Sequence, residues 1–226
     1  MRPTLALFVV LLFAGPAHAA TKPVGAKPLT DKAAAAKVKR SSWEPRRENA
    51  DENRRVLTSN QLKTFRRKSD MPYKSRVTGK FKGTTDEIIQ WAAYKHGIDV
   101  DTMRAVAVVE SWWRMSTVGD NGDSFGLYQL RRPFHCCPTY AKRSTAFNAD
   151  YYGAIIRAYF DGKMPWLNDV ERGEDYKAGD LDGSVGAWFA GRWHTQPANE
   201  YIQRVKDTLK ARTWRSRDFQ GLTPTP

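Results

Sequence analysis

One carboxylate continues what is otherwise the apolar face of a predicted helix. The residues that carry this pattern are Asp99, a favourable N-cap, and then, at helical spacing, Met103, Val106, Ala107 and Glu110. Burial disfavours the charged form of a carboxyl group, so a Glu on an apolar face can keep its proton near neutral pH. Such a group is suited to general acid catalysis of glycoside cleavage. The alternative is a helix-terminal Glu that turns into solvent or pairs with Arg114.

A polar loop and turn follow this helix. Gly126 allows a close approach of the backbone to a ligand, and the amide of Gln129 can both donate to and accept from sugar hydroxyls. Asp120 and Asp123 have part of the spacing of a calcium loop, but the downstream Glu of that motif is missing. We therefore expect a polar rim beside Glu110, with no metal ion.

Two short motifs around this helix and turn resemble the signature of the soluble lytic murein transglycosylases. They are the dipeptide Glu110-Ser111 at the helix end and the S-x-G-L-x-Q pattern that runs from Ser124 to Gln129. The resemblance extends more loosely over residues 84–209. It implies a lysozyme-like α fold, bacterial peptidoglycan glycan strands as substrate, and Glu110 as the single catalytic acid and base, without any cofactor.

The same resemblance implies a set of substrate-binding residues, with Ser111 and Ser124 as candidates to bind acetamido groups or Glu110. The full set is Ser111, Ser124, Gly126, Tyr128, Gln129, Asn148, Trp188 and Phe189. Tyr128 stands where the family usually has Met. Asn148 matches a family Asn, although it could simply be an N-cap or turn residue.

The third family motif is altered in this chain. Ala187-Trp188-Phe189-Ala190-Gly191 stands where Ala-Tyr-Asn-Ala-Gly is usual, so the Tyr that would orient Glu110 is replaced. The indole N–H of Trp188 is one donor that remains. Trp188 and Trp193 can equally be core residues.

Residues 1–19 have the pattern of a secretory signal peptide. Arg2 precedes a short apolar run, and Ala17-His18-Ala19 forms an A-x-A cleavage pattern. An uncleaved anchor is the alternative. The pattern predicts a periplasmic or secreted protein.

Residues 20–80, here called the N-terminal arm, carry most of the positive charge. The arm has seventeen Lys or Arg and six Asp or Glu, whereas residues 81–226 are nearly neutral, and the whole chain has a net charge of +13. Without a sustained apolar period, this composition predicts a disordered segment. Tethering to an anionic wall or membrane surface is one possible role, and a solvated tail is the other. We expect no specific binding of nucleic acid, because few aromatic residues accompany the charge.

Residues 81–226 are predicted to form one mainly α domain that acts as a monomer. A capping box at Thr84 and Glu87 begins a helix that Gly97 ends, and further helices are predicted after Asp99, over 145–160 and over 199–209. The only cysteines, Cys136 and Cys137, are adjacent. They could form a strained vicinal disulfide, stay free or pair between molecules.

Two other functions fit the same residues. A lysozyme-type hydrolase would use Asp120 or Asp123 as a second carboxylate. A non-catalytic wall-binding protein would keep the fold without activity, and the altered third motif favours that alternative.

Overall fold

The structure, a computed structural model, describes residues 25–132 and 134–222 and is mainly helical. Its α-helices are α1 (Asp31–Ala35), α2 (Ala50–Arg54), α3 (Ser59–Lys68), α4 (Thr85–His96), α5 (Val100–Ser111), α6 (Pro138–Arg143), α7 (Thr145–Phe160), α8 (Leu181–Ala190) and α9 (Gln196–Ala211). Short antiparallel strands, paired in the order β1 (Val118–Gly119), β2 (Ser124–Phe125) and β3 (Leu130–Arg131), follow α5. The predicted signal peptide lies outside the described residues. Within them, no helix combines the length and apolar character that a membrane span requires.

The predicted helix boundaries of the central region are confirmed. Thr84 and Glu87 form the reciprocal capping box of α4, and Gly97 ends that helix at φ 67°. Asp99 caps α5 by accepting from the backbone N–H of Thr102 at 2.7 Å. These signals lie within a few residues of the backbone that they terminate, which explains why the sequence alone reveals them.

The core lies where α4 packs against α5 and α7, and α9 packs against α5 and α8. Large aromatic side chains fill it, including four fully buried tryptophans: Trp91, Trp113, Trp193 and Trp214. The arrangement places the C-terminal end of α5 beside α9, which matters for Glu110.

The predicted disorder of the N-terminal arm is wrong for its described part, residues 25–80. This part forms α1, α2 and α3, and Ala34, Phe65 and Val77 are fully buried in the common core. The ring of Phe65 packs edge-on against that of Phe147 in α7, with ring centroids 5.3 Å apart. Helices of five residues are too short to show a period, so the exposed Lys and Arg residues dominated the pattern.

A buried carboxylate fastens the arm to the helical domain. Asp150 of α7 has no exposed surface, and one of its oxygens accepts from the backbone N–H groups of Thr78 and Gly79 at 2.7 and 2.9 Å. The same oxygen contacts Lys95 Nζ at 2.7 Å, while the other lies 2.7 Å from His96 Nε2. Burial alone would raise the pKa of Asp150, but Lys95 and His96 outweigh it and hold that pKa well below its usual range.

Substitution of Asp150 tests this attachment. We expect Asp150→Asn to lower the free energy of unfolding by about 3–5 kcal/mol, because it removes the fully buried partner of Lys95 and leaves only the half-buried Asp31 as its counter-charge. Urea denaturation at neutral pH measures the change. As a control, Asp51→Asn removes an exposed partner of Arg54 and should cost less than about 1 kcal/mol. Equal effects of the two substitutions would contradict the proposed role.

Candidate active site

Glu110 lies in the last turn of α5, immediately before a sharp change of chain direction. Trp112 and Trp113 follow with φ values of 55° and 63°, a left-handed conformation that side chains other than glycine rarely adopt. Trp113 is fully buried, and its indole N–H donates to the carbonyl of Arg104 at 3.1 Å. The buried indole therefore anchors the turn and fixes the direction in which Glu110 leaves the helix.

The N-terminal arm supports this turn directly. Arg46 is buried and donates from Nε to the carbonyl of Trp112 at 2.7 Å and from Nη1 to that of Phe219 at 2.8 Å. Asn49 donates to the carbonyl of Trp113 at 2.7 Å and accepts from the backbone N–H of Met115 at 2.9 Å. These bonds satisfy backbone groups that the irregular turn leaves without helical partners.

Several predicted sugar-binding residues lie inside the protein and hold the following turn. Ser111 donates to the carbonyl of Leu127 at 2.8 Å, which ties the end of α5 to the turn. Gly126 has φ 75°, and a Cβ atom there would lie 2.6 Å from the amide nitrogen of Asn148. Within the protein, the close approach that requires glycine here is to the side chain of Asn148. Asn148 is fully buried within α7, not at its N-cap, and accepts from the backbone N–H of Tyr128 at 2.9 Å.

The remaining members of the turn also act within the protein. Tyr128 is fully buried, donates to the carbonyl of Met103 and stacks on Tyr152 with ring centroids 4.1 Å apart. Ser124 is buried and donates to Asp120. Gln129 donates its amide to the carbonyls of Thr117, before β1, and Gly126, within the turn, and stays half-buried. These side chains, together with Ser111, Gly126 and Asn148, position the turn. The expected sugar contact of the half-buried Gln129 stays a prediction.

The altered third motif supplies two aromatic side chains at the site. Trp188 is half-buried and stacks on His135 with ring centroids 4.8 Å apart, and Phe189 is 48% exposed. Phe189 also stacks on Tyr201, with ring centroids 4.6 Å apart. Of the predicted binding residues, Trp188 and Phe189 therefore have ring surface that a ligand can reach.

Tyr201 is the functional residue that sequence reasoning missed. It lies on α9, is almost fully buried, and donates its hydroxyl to Oε1 of Glu110. The family motif would place an orienting Tyr on α8, where this chain has Trp188. The available signal was a tyrosine hydroxyl on the apolar face of a predicted helix, because a buried Tyr hydroxyl usually needs a partner.

The surroundings of Glu110 favour its protonated form. Burial raises the pKa of Glu110 to about 7, and the nearby Asp120 acts in the same direction. The Tyr201 hydrogen bond, the Arg204 guanidinium and the Trp188 side chain oppose this rise. Glu110 can therefore give up and regain a proton near neutral pH.

The two loop carboxylates differ in their relation to Glu110. Asp120 accepts from Ser124 and lies 3.4 Å from Nε of Arg131, and its charge acts on the pKa of Glu110. Asp123 instead pairs with Arg132 at 2.5 Å. Asp120 is thus the better placed of the two to act as a second carboxylate.

The two cysteines form a vicinal disulfide, with Cα atoms 3.7 Å apart. It adjoins His135, whose ring stacks on Trp188 and whose Nδ1 lies 3.3 Å from the hydroxyl of Tyr151. Burial lowers the pKa of His135 to about 4, so this ring is neutral at pH 7. An uncharged ring, next to the disulfide in the chain, therefore packs against Trp188 of the third motif.

A cluster elsewhere offers metal-ligand atoms. Potential ligand atoms of Glu174, Asp180 and His194 all lie within 4.8 Å of one another. Nε2 of His194 lies 2.8 Å from Asp180, however, and Nδ1 lies 3.0 Å from the side-chain oxygen of Asn199. Both ring nitrogens thus face acceptors, which suits an imidazolium ion pair that links the start of α8 to the turn before α9.

Two substitutions should move the pKa of Glu110 in opposite directions. Tyr201→Phe removes a hydrogen bond to the carboxylate and should raise the pKa above about 7, whereas Asp120→Asn removes a negative charge and should lower it. Carboxyl carbon NMR of selectively labelled protein measures both titrations. Asp123→Asn serves as the control and should leave the pKa of Glu110 unchanged. Shifts of the same sign for Tyr201→Phe and Asp120→Asn would contradict this account.

Comparison with protein-family models, curated proteins and solved structures gave no match to this chain. The functional assignment therefore depends on the motif residues and on the geometry around Glu110. That geometry is a half-buried Glu110 with a pKa near neutrality, a tyrosine that orients it, and exposed aromatic surface beside it.

Proposed function

We propose that this protein is a peptidoglycan lytic transglycosylase with a lysozyme-like fold, exported through residues 1–19. It cleaves the β-1,4 bond between N-acetylmuramic acid and N-acetylglucosamine. The observation that carries the proposal is the Glu110 carboxyl, whose pKa of about 7 and hydrogen bond from Tyr201 suit one group to both acid and base roles.

The proposed reaction needs one carboxyl group. Protonated Glu110 donates to the glycosidic oxygen while the bond from that oxygen to C1 breaks. The Glu110 carboxylate then takes the proton of the muramyl C6 hydroxyl while the oxygen of that hydroxyl bonds to C1. This step regenerates the acid and gives a 1,6-anhydro product. Because the substrate supplies the nucleophile, neither water nor a second carboxylate is consumed, unlike in ordinary glycosidases.

Tyr201 and the aromatic side chains have distinct proposed roles. Tyr201 donates to Oε1 of Glu110 and so orients the carboxyl group. The exposed ring of Phe189 offers an apolar surface for a sugar face, and Arg204 covers the rings of Phe189 and Tyr201 at 5.3 and 5.5 Å. The contact from Tyr201 replaces the orienting Tyr that the altered third motif lacks. A non-catalytic protein would have no need of such a contact.

A lysozyme-type hydrolase is the second candidate. It is favoured by Asp120, whose charge acts on Glu110 and which could activate water as a second carboxylate. The carboxylate of Asp120 is already engaged by Ser124 and Arg131. This engagement favours the transglycosylase.

The Glu110→Gln substitution tests the central role. Gln preserves the shape but has no transferable proton, so we expect release of soluble fragments from peptidoglycan to fall by at least about 100-fold while the protein stays folded. Turbidity of a peptidoglycan suspension and circular dichroism measure the two properties. Activity near that of the wild type would remove Glu110 from the mechanism.

Product analysis separates the two candidate enzymes. We expect mass spectrometry to find 1,6-anhydromuramic acid ends, lighter by one water than reducing ends. The variants Asp120→Asn and Asp123→Asn should each keep most of the activity, because the proposed reaction uses neither charge directly. Reducing ends, together with an inactive Asp120→Asn variant, would establish the hydrolase instead.

A further inference from the structure

A second concave site lies where the N-terminal arm meets α6. Its volume is about 410 Å³, and it is lined by residues 54–57, Gln61, Lys82, Thr139, Tyr140, Arg143 and Ser144. This volume falls in the range of small-ligand sites, roughly 300–1,000 Å³. None of the residues assigned to the Glu110 site lines it, so it is a separate feature of the surface.

The charge of this pocket has one sign. Its charged lining residues are Arg54, Arg55, Lys82 and Arg143, and no Asp or Glu lines it. Arg54 pairs with Asp51 at 2.8 Å. Among the described residues, no carboxylate forms an ion pair with the other three cations. The pocket therefore offers unneutralised donors to an anionic ligand.

The uncharged lining combines the apolar side chains of Val56, Leu57 and Tyr140 with the polar residues Gln61, Thr139 and Ser144. Val56 is 39% exposed, one of the large apolar side chains that the fold leaves open, and Leu57 and Tyr140 continue this surface. Ser144 donates to the carbonyl of Arg55 at 2.8 Å and so ties the 54–57 wall to α6. The pocket thus suits a ligand that has aliphatic groups besides its negative charges.

We infer that this pocket binds the acidic stem peptide of peptidoglycan, an inference that rests on the proposed function. Such a peptide carries carboxylates for the guanidinium groups and alkyl groups for the exposed side chain of Val56, whereas a compact inorganic anion would leave that side chain uncovered. The pocket also shares α6 with the catalytic turn, since α6 packs against β2 and β3. A stem held there raises the local concentration of glycan strands around Glu110.

Titration of the intact protein with the stem tetrapeptide tests the inference. The peptide, released from peptidoglycan by an amidase, contains no glycosidic bond, so its binding does not depend on the cleavage reaction. We expect backbone NMR shifts that concentrate in residues 54–57, 82 and 139–144. Arg143→Gln and Lys82→Gln should each raise the dissociation constant by about threefold to fivefold, as expected for the loss of an exposed ion pair. The control Lys210→Gln removes an exposed cation of α9 and should leave it unchanged.

Three outcomes would overturn the inference. They are an equal loss of affinity in Lys210→Gln, undiminished binding of a peptide whose carboxylates are amidated, and inorganic phosphate binding as tightly as the peptide at the same residues. The amidated peptide needs only the wild-type protein, so this comparison holds even if a variant fails to fold. If the protein cleaves peptidoglycan but does not bind the peptide, the inference about the pocket is refuted and the enzymatic function is not. If it binds the peptide but does not cleave peptidoglycan, the enzymatic function is refuted and the inference about the pocket is not.

Discussion

The turn after Glu110 is the constraint on which the site depends. Two successive tryptophans with positive φ end α5, and their carbonyl groups point away from the helix and need partners elsewhere, although their N–H groups bond to carbonyls of α5. Arg46 and Asn49 provide the missing partners from the N-terminal arm, and the guanidinium of Arg46 lies 4.1 Å from the ring centre of Phe219. The arm is therefore part of the structure that aims Glu110. A segment predicted to be disordered is therefore folded and supports the candidate active site.

The same arm explains how a strongly basic segment can fold. Most of its cationic side chains are exposed, while a few apolar side chains enter the core. Asp150 accepts hydrogen bonds from the backbone N–H groups of Thr78 and Gly79 in the arm. A buried carboxylate is costly unless it is paired and hydrogen-bonded, and Asp150 meets both conditions through Lys95. The positive charge left outside is available for anions, and the pocket at α6 concentrates part of it.

Around Glu110, opposing effects set a pKa near neutrality. Burial and Asp120 raise it, while Tyr201 and Arg204 limit the rise. This balance suits a group that must donate a proton and then accept one, because a carboxyl far from neutrality would perform one of these steps poorly. Tyr201 serves orientation as well, and its stacking on Phe189 joins the orienting residue to the exposed aromatic surface.

The sequence by itself determined the features that depend on neighbouring residues. The caps at Thr84 and Asp99, the helix over 145–160, and the carboxyl of Glu110 at the end of an apolar face all follow from short-range patterns. Only the tertiary structure decided which side chains meet. Tyr201 lies ninety-one positions from Glu110, and Asn148 and Tyr128 proved to be internal supports, because burial depends on packing between helices and not on motif identity. The folding of the N-terminal arm was decided in the same way, since its short helices are stabilised by contacts with distant residues such as Phe147 and Asp150.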